Sequence, residues 1–459
     1  MTRASEVLRD LAGIVGESHV LVGADIAARH DTYPPGPPMS ALAILRPATT
    51  AEVAAILRYC DSHGIAVIPQ GGRTGLVSGG RTRGGDVALS FERMTAIEAI
   101  DLPGSTMIVQ AGVPLQRVQE AALEAGMTYP VDLGARGSAT IGGTIATNAG
   151  GNSVLRYGMT RDQILGLEVV LADGTILSSM NRMMKNNAGY DLKQMFIGSE
   201  GTLGVVTRAV LRLRPEPGAR ATAWLGVANF DDVLALLALA GRESSGALTS
   251  FEVMWPSFLD AILPSGRHQP PLAGSHDFHI LIEVVSRHSH DQLQQILEAG
   301  WEQGLIADAT LATSDAQARA LWAIRDDIET LVGGLRPLFL YDISLPQVAM
   351  TGYLAALRAA LSERWSGSVL VVFGHVADGN LHVCIHTGDE AAHHAVDDIV
   401  YGLLRPLAGS VSAEHGIGLD KRDYLDVTRS TEEIALMTRL KSLLDPNGTL
   451  NPGKVLPLA

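Results

Sequence analysis

Ile65-Ala66-Val67-Ile68-Pro69-Gln70-Gly71-Gly72-Arg73-Thr74-Gly75 reads as a buried strand that runs out into a glycine loop. Upstream, residues 41–45 read as a second strand, and Thr49-Thr50-Ala51-Glu52 has the form of a capping box. Val53, Ile56, Leu57 and Cys60 then fall at i, i+3, i+4 and i+7, the spacing of an amphipathic helix that Gly64 ends. The unit is β-α-β with its glycine loop after the second strand. A dinucleotide fingerprint needs Gly-x-Gly-x-x-Gly between strand and helix, and a P-loop needs Gly-Lys-Ser/Thr. Neither occurs here, so nicotinamide binding loses its usual warrant.

A second glycine loop follows, Ser138-Ala139-Thr140-Ile141-Gly142-Gly143-Thr144-Ile145-Ala146-Thr147-Asn148-Ala149-Gly150-Gly151, dense in small residues and hydroxyls. Backbone N–H groups in such loops form anion-binding nests, and Ser and Thr add donors for a pyrophosphate. The chain has 49 glycines, clustered at residues 71–85, 134–151, 198–204 and 374–418. Glycine is needed where backbone takes positive φ or approaches a ligand closely, so the clustering points to loops wrapped on a large cofactor.

With 459 residues, 46% of them hydrophobic, the chain has material for about two or three domains; its mean hydropathy is +0.17. The formal charge is −14 and no basic cluster stands out, which argues against nucleic acid as a partner. Cys60 and Cys384 lie far apart with no Cys-x-x-Cys pattern, which fits a reducing compartment and disfavours an Fe–S cluster or zinc ribbon. No segment has the form of a signal peptide or reaches transmembrane length, so the expectation is a soluble cytoplasmic protein.

Along the chain, residues 5–15 read as a helix and 34–38 as a proline-rich turn. Residues 166–172 and 203–213 read as strands, the first turning at Asp173-Gly174. Arg214-Pro215-Glu216-Pro217-Gly218 looks like a linker. Beyond it, residues 221–227, 230–240, 248–254 and 278–285 run strand, helix, strand, strand, the pattern of an α+β domain with an antiparallel sheet. Residues 432–444 read as a helix, and the tail after it is a chain of turn signals.

Gly374-His375-Val376-Ala377-Asp378-Gly379-Asn380-Leu381-His382, with Ser412-Ala413-Glu414-His415-Gly416-Ile417-Gly418 roughly thirty positions later, has the look of a mononuclear metal site. Both histidines adjoin apolar strand-like runs that the intervening turn can fold back on each other. Glu414 would complete a two-histidine, one-carboxylate set with open positions for an oxygen-chelating substrate. His415 is left to serve as a base. Taken singly, a strand histidine is more often structural.

Together these loops resemble the FAD-linked oxidases of the vanillyl-alcohol oxidase type, in the D-lactate, glycolate and D-2-hydroxyglutarate dehydrogenase branch. The carriers are Pro69-Gln70-Gly71-Gly72-Arg73-Thr74-Gly75-Leu76, the loop from Gly142 to Gly151, Asn187-Ala188-Gly189-Tyr190-Asp191-Leu192, Gly198-Ser199-Glu200-Gly201-Thr202-Leu203-Gly204, the two histidine motifs, and Asn451-Pro452-Gly453-Lys454. The resemblance implies an α+β protein. Residues 1–217 would form a two-subdomain, PCMH-type FAD-binding domain with its core at about 38–217. Residues 218–459 would form a ferredoxin-like substrate and metal domain, ending in a segment that returns to the flavin.

The resemblance assigns flavin contacts to Pro69, Gln70, Gly71, Gly72, Arg73, Thr74, Gly75 and Leu76, and to Asp132, Ser138, Gly142, Gly143, Thr147, Asn148, Gly201, Val206 and Asn451. Relatives with a covalent flavin carry a histidine near the first loop, where this chain reads Gly72-Arg73-Thr74, so FAD is expected without a covalent link. A zinc or manganese ion at His375, His382 and Glu414 would bind the 2-hydroxyl and a carboxylate oxygen of a 2-hydroxy acid. His415 would take the hydroxyl proton, hydride would pass from carbon 2 to the flavin, and Arg325 would hold the substrate carboxylate.

The substrate set is Arg325, Leu340, Asn380 and Cys384, and it contains departures. Relatives acting on D-2-hydroxyglutarate carry a lysine, a threonine and an asparagine where this chain has Leu340, Glu329 and Cys384. These changes remove partners for a distal carboxylate, so the expectation leans to a D-lactate-like monocarboxylate, with D-2-hydroxyglutarate or glycolate as the alternative. A non-catalytic flavin-binding subunit of a larger complex would be expected to lose the base or a ligand, and all four residues are present. An oxygen-using alcohol or sugar oxidase would favour a covalent-flavin histidine and no metal set. The electron acceptor stays open between a quinone, an electron-transfer flavoprotein, a cytochrome and oxygen, and a homodimer is a candidate assembly.

Overall fold

Helix α1 (Arg3–Val15) turns Val7, Leu11 and Val15 into a core shared with the first sheet. That sheet has β1 (Val20–Leu21), β2 (Ala43–Leu45), β3 (Val67–Gln70) and β4 (Val87–Ser90) in the order β1-β2-β4-β3. Between β2 and β3 runs α2 (Thr50–His63), started by Thr49, whose hydroxyl accepts the Glu52 N–H at 3.1 Å. Glu52 returns its carboxylate to the Ala48 N–H at 2.8 Å, so the expected capping box closes one residue early. Gly64 ends the helix at φ 64°. Strands β2 and β3 both lie parallel to β4, which sits between them; the expected β-α-β unit therefore crosses over a central strand. The structure is a computed structural model and describes residues 3–32, 36 and 38–457; most of the expected proline-rich turn at 34–38 lies outside the described residues.

The second sheet is antiparallel throughout: β5 (Ile97–Asp101), β6 (Thr106–Gln110), β7 (Ile164–Val170), β8 (Ile176–Ser179) and β9 (Val205–Arg212), in the order β5-β6-β9-β7-β8. Its apolar face packs with helices α3 (Leu115–Glu124) and α4 (Ile141–Thr147) through Met107, Val109, Leu115, Ile141, Ile145, Leu167 and Leu211. The second glycine loop is thus in large part a helix. Thr140 caps it through the Gly143 N–H, Ile141, Thr144 and Ile145 bury one side, and Asn148 closes it in the left-handed region at φ 49°.

These sheets belong to one compact unit, which runs to Gly151 and takes in Gly158–Glu216 and everything from Glu414 on. In its last part the helix Thr431–Leu444 is capped by Ser430, and the tail then pairs with the edge of β3. The Val67 N–H donates to Thr449 O at 2.7 Å, and the Asn451 N–H to Val67 O at 2.9 Å.

The second unit comprises Asn152–Tyr157 and Pro217–Ala413. Its first half runs β10 (Ala219–Val227), α5 (Phe230–Glu243), β11 (Leu248–Met254), β12 (Phe278–Ser286), α6 (Ser289–Glu302) and β13 (Asp308–Leu311). The strand order β13-β10-β12-β11, all antiparallel, is the ferredoxin-like arrangement. Helix α7 (Asp315–Arg325) follows, then β14 (Phe339–Ser344), β15 (Val369–Gly374) and β16 (Asn380–His386). These three extend the sheet beyond β11 in the order β15-β16-β14. One apolar cluster, with Met254, Phe258, Leu321, Ile324, Phe373 and Cys384, joins α7 to the sheet. Among the described residues no helix is long and apolar enough to cross a membrane.

Candidate functional site

The loop after β3 forms one wall of a cleft in the first unit, with about 1330 Å³ of empty space counting its open mouth. Pro69, Gln70, Gly71, Gly72, Arg73, Thr74, Gly75 and Leu76 all line it, as do Gly143, Thr147 and Asn451. Backbones meet closely here. A Cβ on Gly71 would lie 2.3 Å from Thr140 Oγ1 and displace that hydroxyl, whereas one on Gly72 would lie 1.9 Å from the backbone Ser138 O, so no side chain fits at Gly72. Gly142, Gly201 and Val206 line a smaller adjoining cavity. Asp132, Ser138 and Asn148 line neither: Asp132 pairs with Arg136 at 2.6 Å, Ser138 backs Gly72, and Asn148 caps α4.

Two buried acceptors on the cleft wall, Gln70 Oε1 and Asn451 Oδ1, have no hydrogen-bond partner among the described residues. Their amide nitrogens are engaged, Gln70 Nε2 with Gly80 O at 2.7 Å and Asn451 Nδ2 with Gly79 O and Glu200 O at 3.1 and 2.8 Å. Buried acceptors in this state await donors from a bound molecule.

Glu414 and His415 line the same cleft, and Glu414 Oε1 accepts the Gly151 N–H at 3.0 Å. The turn that carries them is held by Glu200. Its carboxylate accepts the Ile417 N–H at 2.7 Å and the Gly418 N–H at 2.9 Å; burial raises its pKa while those two bonds and Lys421 oppose the rise.

In the second unit, antiparallel register sets Asp342 opposite His382, which is opposite Phe373, which is opposite Met254, all on one face of the sheet. His375 follows the end of β15, and its ring centroid lies 5.2 Å from that of His382, edge to face. Each histidine has a carboxylate behind it, Glu252 Oε1 at 2.7 Å from His375 Nδ1 and Asp342 Oδ1 at 3.8 Å from His382 Nδ1. Arg325, at the end of α7, is buried; its Nε donates to Glu252 Oε2 at 2.9 Å, and its Nη2 is in ionic contact with the same oxygen, also at 2.9 Å. Burial alone would raise the Glu252 pKa, but the adjacent His375 and Arg325 outweigh it and hold the carboxyl at about 2.

The structure therefore brings together Arg325, His375 and His382 in one unit and Glu414 and His415 in the other. Among the described residues, no group of three His, Cys, Asp or Glu side chains is gathered so as to hold a metal ion. Asn380 is buried, donating to Asp342 Oδ1 at 2.7 Å and to Ile343 O at 3.0 Å, and Cys384 is packed in the apolar core. Leu340 lies opposite Cys384 and is 40% exposed. The like charge expected of Glu329 does not operate in a pocket, because its side chain is 89% exposed and faces Arg267 at 3.7 Å. Sequence reasoning missed Glu252, Asp342 and Glu200. The available signal was a charged residue beside the apolar residues of a strand, as in Leu248–Met254, whose seven residues are all buried.

Residues 41–179 match the model of an FAD binding domain, and residues 216–455 that of the FAD linked oxidases, C-terminal domain. The chain belongs to the FAD-linked oxidases. This oxidase is 40% identical to the D-2-hydroxyglutarate dehydrogenase of Xanthomonas citri pv. viticola, over 90% of this chain and 89% of the relative. It is also 40% identical to the mitochondrial D-2-hydroxyglutarate dehydrogenase of Bos taurus, over 91% and 77% respectively. Among solved structures, p-cresol methylhydroxylase superposes with TM-score 0.78 at 16% identity, over the whole of this chain and 98% of that one. The 4-ethylphenol oxidase of Gulosibacter chungangensis gives 0.76 at 20% identity, over 99% and 97%. These two establish the PCMH-type fold. FAD is the cofactor of the oxidase, and the cleft suits it: the glycine loops line it, and the two unpartnered acceptors supply polar contacts.

Proposed function

We propose that this FAD-dependent D-2-hydroxy acid dehydrogenase acts on D-2-hydroxyglutarate. The observation that carries the reading is 40% identity over nine tenths of the chain to relatives of that name. Arg325, buried and fixed on Glu252, supports it as the guanidinium for the carboxylate next to the reacting carbon. When bound, FAD supplies the two-electron acceptor for the hydride from carbon 2. His415, on the wall of the flavin cleft, is proposed as the base that takes the 2-hydroxyl proton at a ring nitrogen. A divalent cation is proposed with His375 and His382 as its nitrogen donors, a role supported by their convergence and by the carboxylates behind them. Glu414 is kept as third ligand on the resemblance alone.

A second reading, a D-lactate-like monocarboxylate, is favoured by Leu340, which offers an apolar surface where the resemblance sets a lysine in D-2-hydroxyglutarate enzymes. The repulsion expected from Glu329 no longer supports it. Dye reduction across D- and L-2-hydroxy acids separates the two readings. The expected outcome is a higher kcat/KM for D-2-hydroxyglutarate than for D-lactate and no turnover of the L-acids; a tenfold preference for D-lactate would establish the second reading instead, at about 1.4 kcal/mol of discrimination.

A further inference from the structure

Glu252 stands in the middle of β11 and is 1% exposed. A strand buried along its whole length would ordinarily carry an apolar residue there. An ion pair removed from water is seldom more stabilising than well-packed hydrophobic residues of the same volume. The carboxylate instead works with both oxygens: Oε1 meets His375 Nδ1 at 2.7 Å, and Oε2 accepts Arg325 Nε at 2.9 Å with Nη2 in ionic contact at 2.9 Å. The ring of contacts is closed by Arg325 Nη2, 3.4 Å from His375 Nε2, and the Phe373 ring lies 5.0 Å from the guanidinium carbon.

An ionised carboxylate only accepts. His375 must therefore carry a proton on Nδ1, and Nε2, which faces Arg325 Nη2 at 3.4 Å, is the nitrogen that would serve the cation proposed above. The same carboxylate engages the Nε–Nη2 edge of Arg325 and fixes the plane in which its remaining N–H groups point. We infer that Glu252 is a positioning residue for the dehydrogenase, setting the tautomer of His375 and the aim of Arg325 together. This rests on the function proposed above.

The test uses the full-length holoenzyme as wild type, Glu252→Gln and Glu252→Asp. Three measurements are made: KM and kcat by dye reduction, binding of the 2-oxo acid product by the change in flavin absorbance, and zinc affinity of metal-stripped protein by equilibrium dialysis. In Glu252→Gln an amide N–H₂ must face one of two donors, so one arm of the clamp opens. The expected result is FAD retained, KM and the product dissociation constant raised at least tenfold, and zinc affinity lowered roughly 10- to 100-fold, as when a ligating imidazole loses the carboxylate that orients it. Glu252→Asp keeps the charge and should recover part of both. If Glu252→Gln does not retain FAD, Glu252→Asp carries the test alone, with smaller shifts in the same three quantities expected. Wild-type KM, product binding and zinc affinity in the variant that holds FAD, whatever its melting temperature, would overturn the inference. Wild-type enzyme that turns over no D-2-hydroxy acid would instead overturn the functional reading.

Discussion

His279 is 5% exposed on β12, and its Nδ1 accepts the Trp224 Nε1–H at 3.1 Å. Burial, with His276 nearby, pushes its pKa down from 6.5 to about 4. A histidine whose folded pKa is depressed contributes stability that is present above its unfolded pKa and lost as pH falls through the folded one. Wild type should thus lose about 2 kcal/mol relative to His279→Gln between pH 6.5 and 4, allowing for partial solvent screening. Parallel melting curves for the two proteins across that window would show that His279 does not titrate this way. Such single-residue environments were poorly legible in the sequence. Glu252 meets Arg325 and His375 across separations of 73 and 123 residues, which no local pattern encodes. One of the substrate departures, Glu329, fails for the same reason. The sequence sets Glu329 as a like charge near the substrate, yet its side chain points outward, beside Arg267.

Elements were more legible, because caps and periodicity are local. Thr49, Gly64 and the apolar spacing of α2 lie within sixteen consecutive residues, and the helix forms where they put it. The glycine loop after β3 was also recognisable, and the physical need for Gly72 is now specific: a Cβ would meet a backbone carbonyl at 1.9 Å, and backbone cannot rotate away as a side chain can. Gly72→Ala should lower apoprotein stability by roughly 1–3 kcal/mol and leave the purified protein with little flavin. Normal FAD content in that variant would show that the loop has room to shift. The second glycine run reads as a loop from its small residues and hydroxyls, and Gly142 and Gly143 do lower helix propensity. Packing of Ile141 and Ile145 in the second core overrides that preference, and the backbone becomes α4.

For the molecule as a whole, the order of seven short motifs is enough to identify the FAD-linked oxidase fold, since several of them line one cleft. How the flavin is held is a separate matter. Covalent attachment needs a nucleophilic side chain at the cleft, and neither cysteine is there. Cys60 and Cys384 are buried in apolar cores with their thiols pushed up to about 12. Arg73 stands in the loop where covalent relatives have a histidine, and its Nη1 faces Glu92 at 3.5 Å. FAD should therefore leave intact in the supernatant on acid precipitation, with a colourless pellet. Before denaturation, free FAD at a hundredfold excess over its dissociation constant should stabilise the apoprotein by about 2.7 kcal/mol, read as a rise in melting temperature. One histidine does line the cleft, His415. A yellow pellet that turns colourless in His415→Ala would identify that residue as the point of attachment, and a ring nitrogen bonded to flavin could not also take the substrate's hydroxyl proton as proposed.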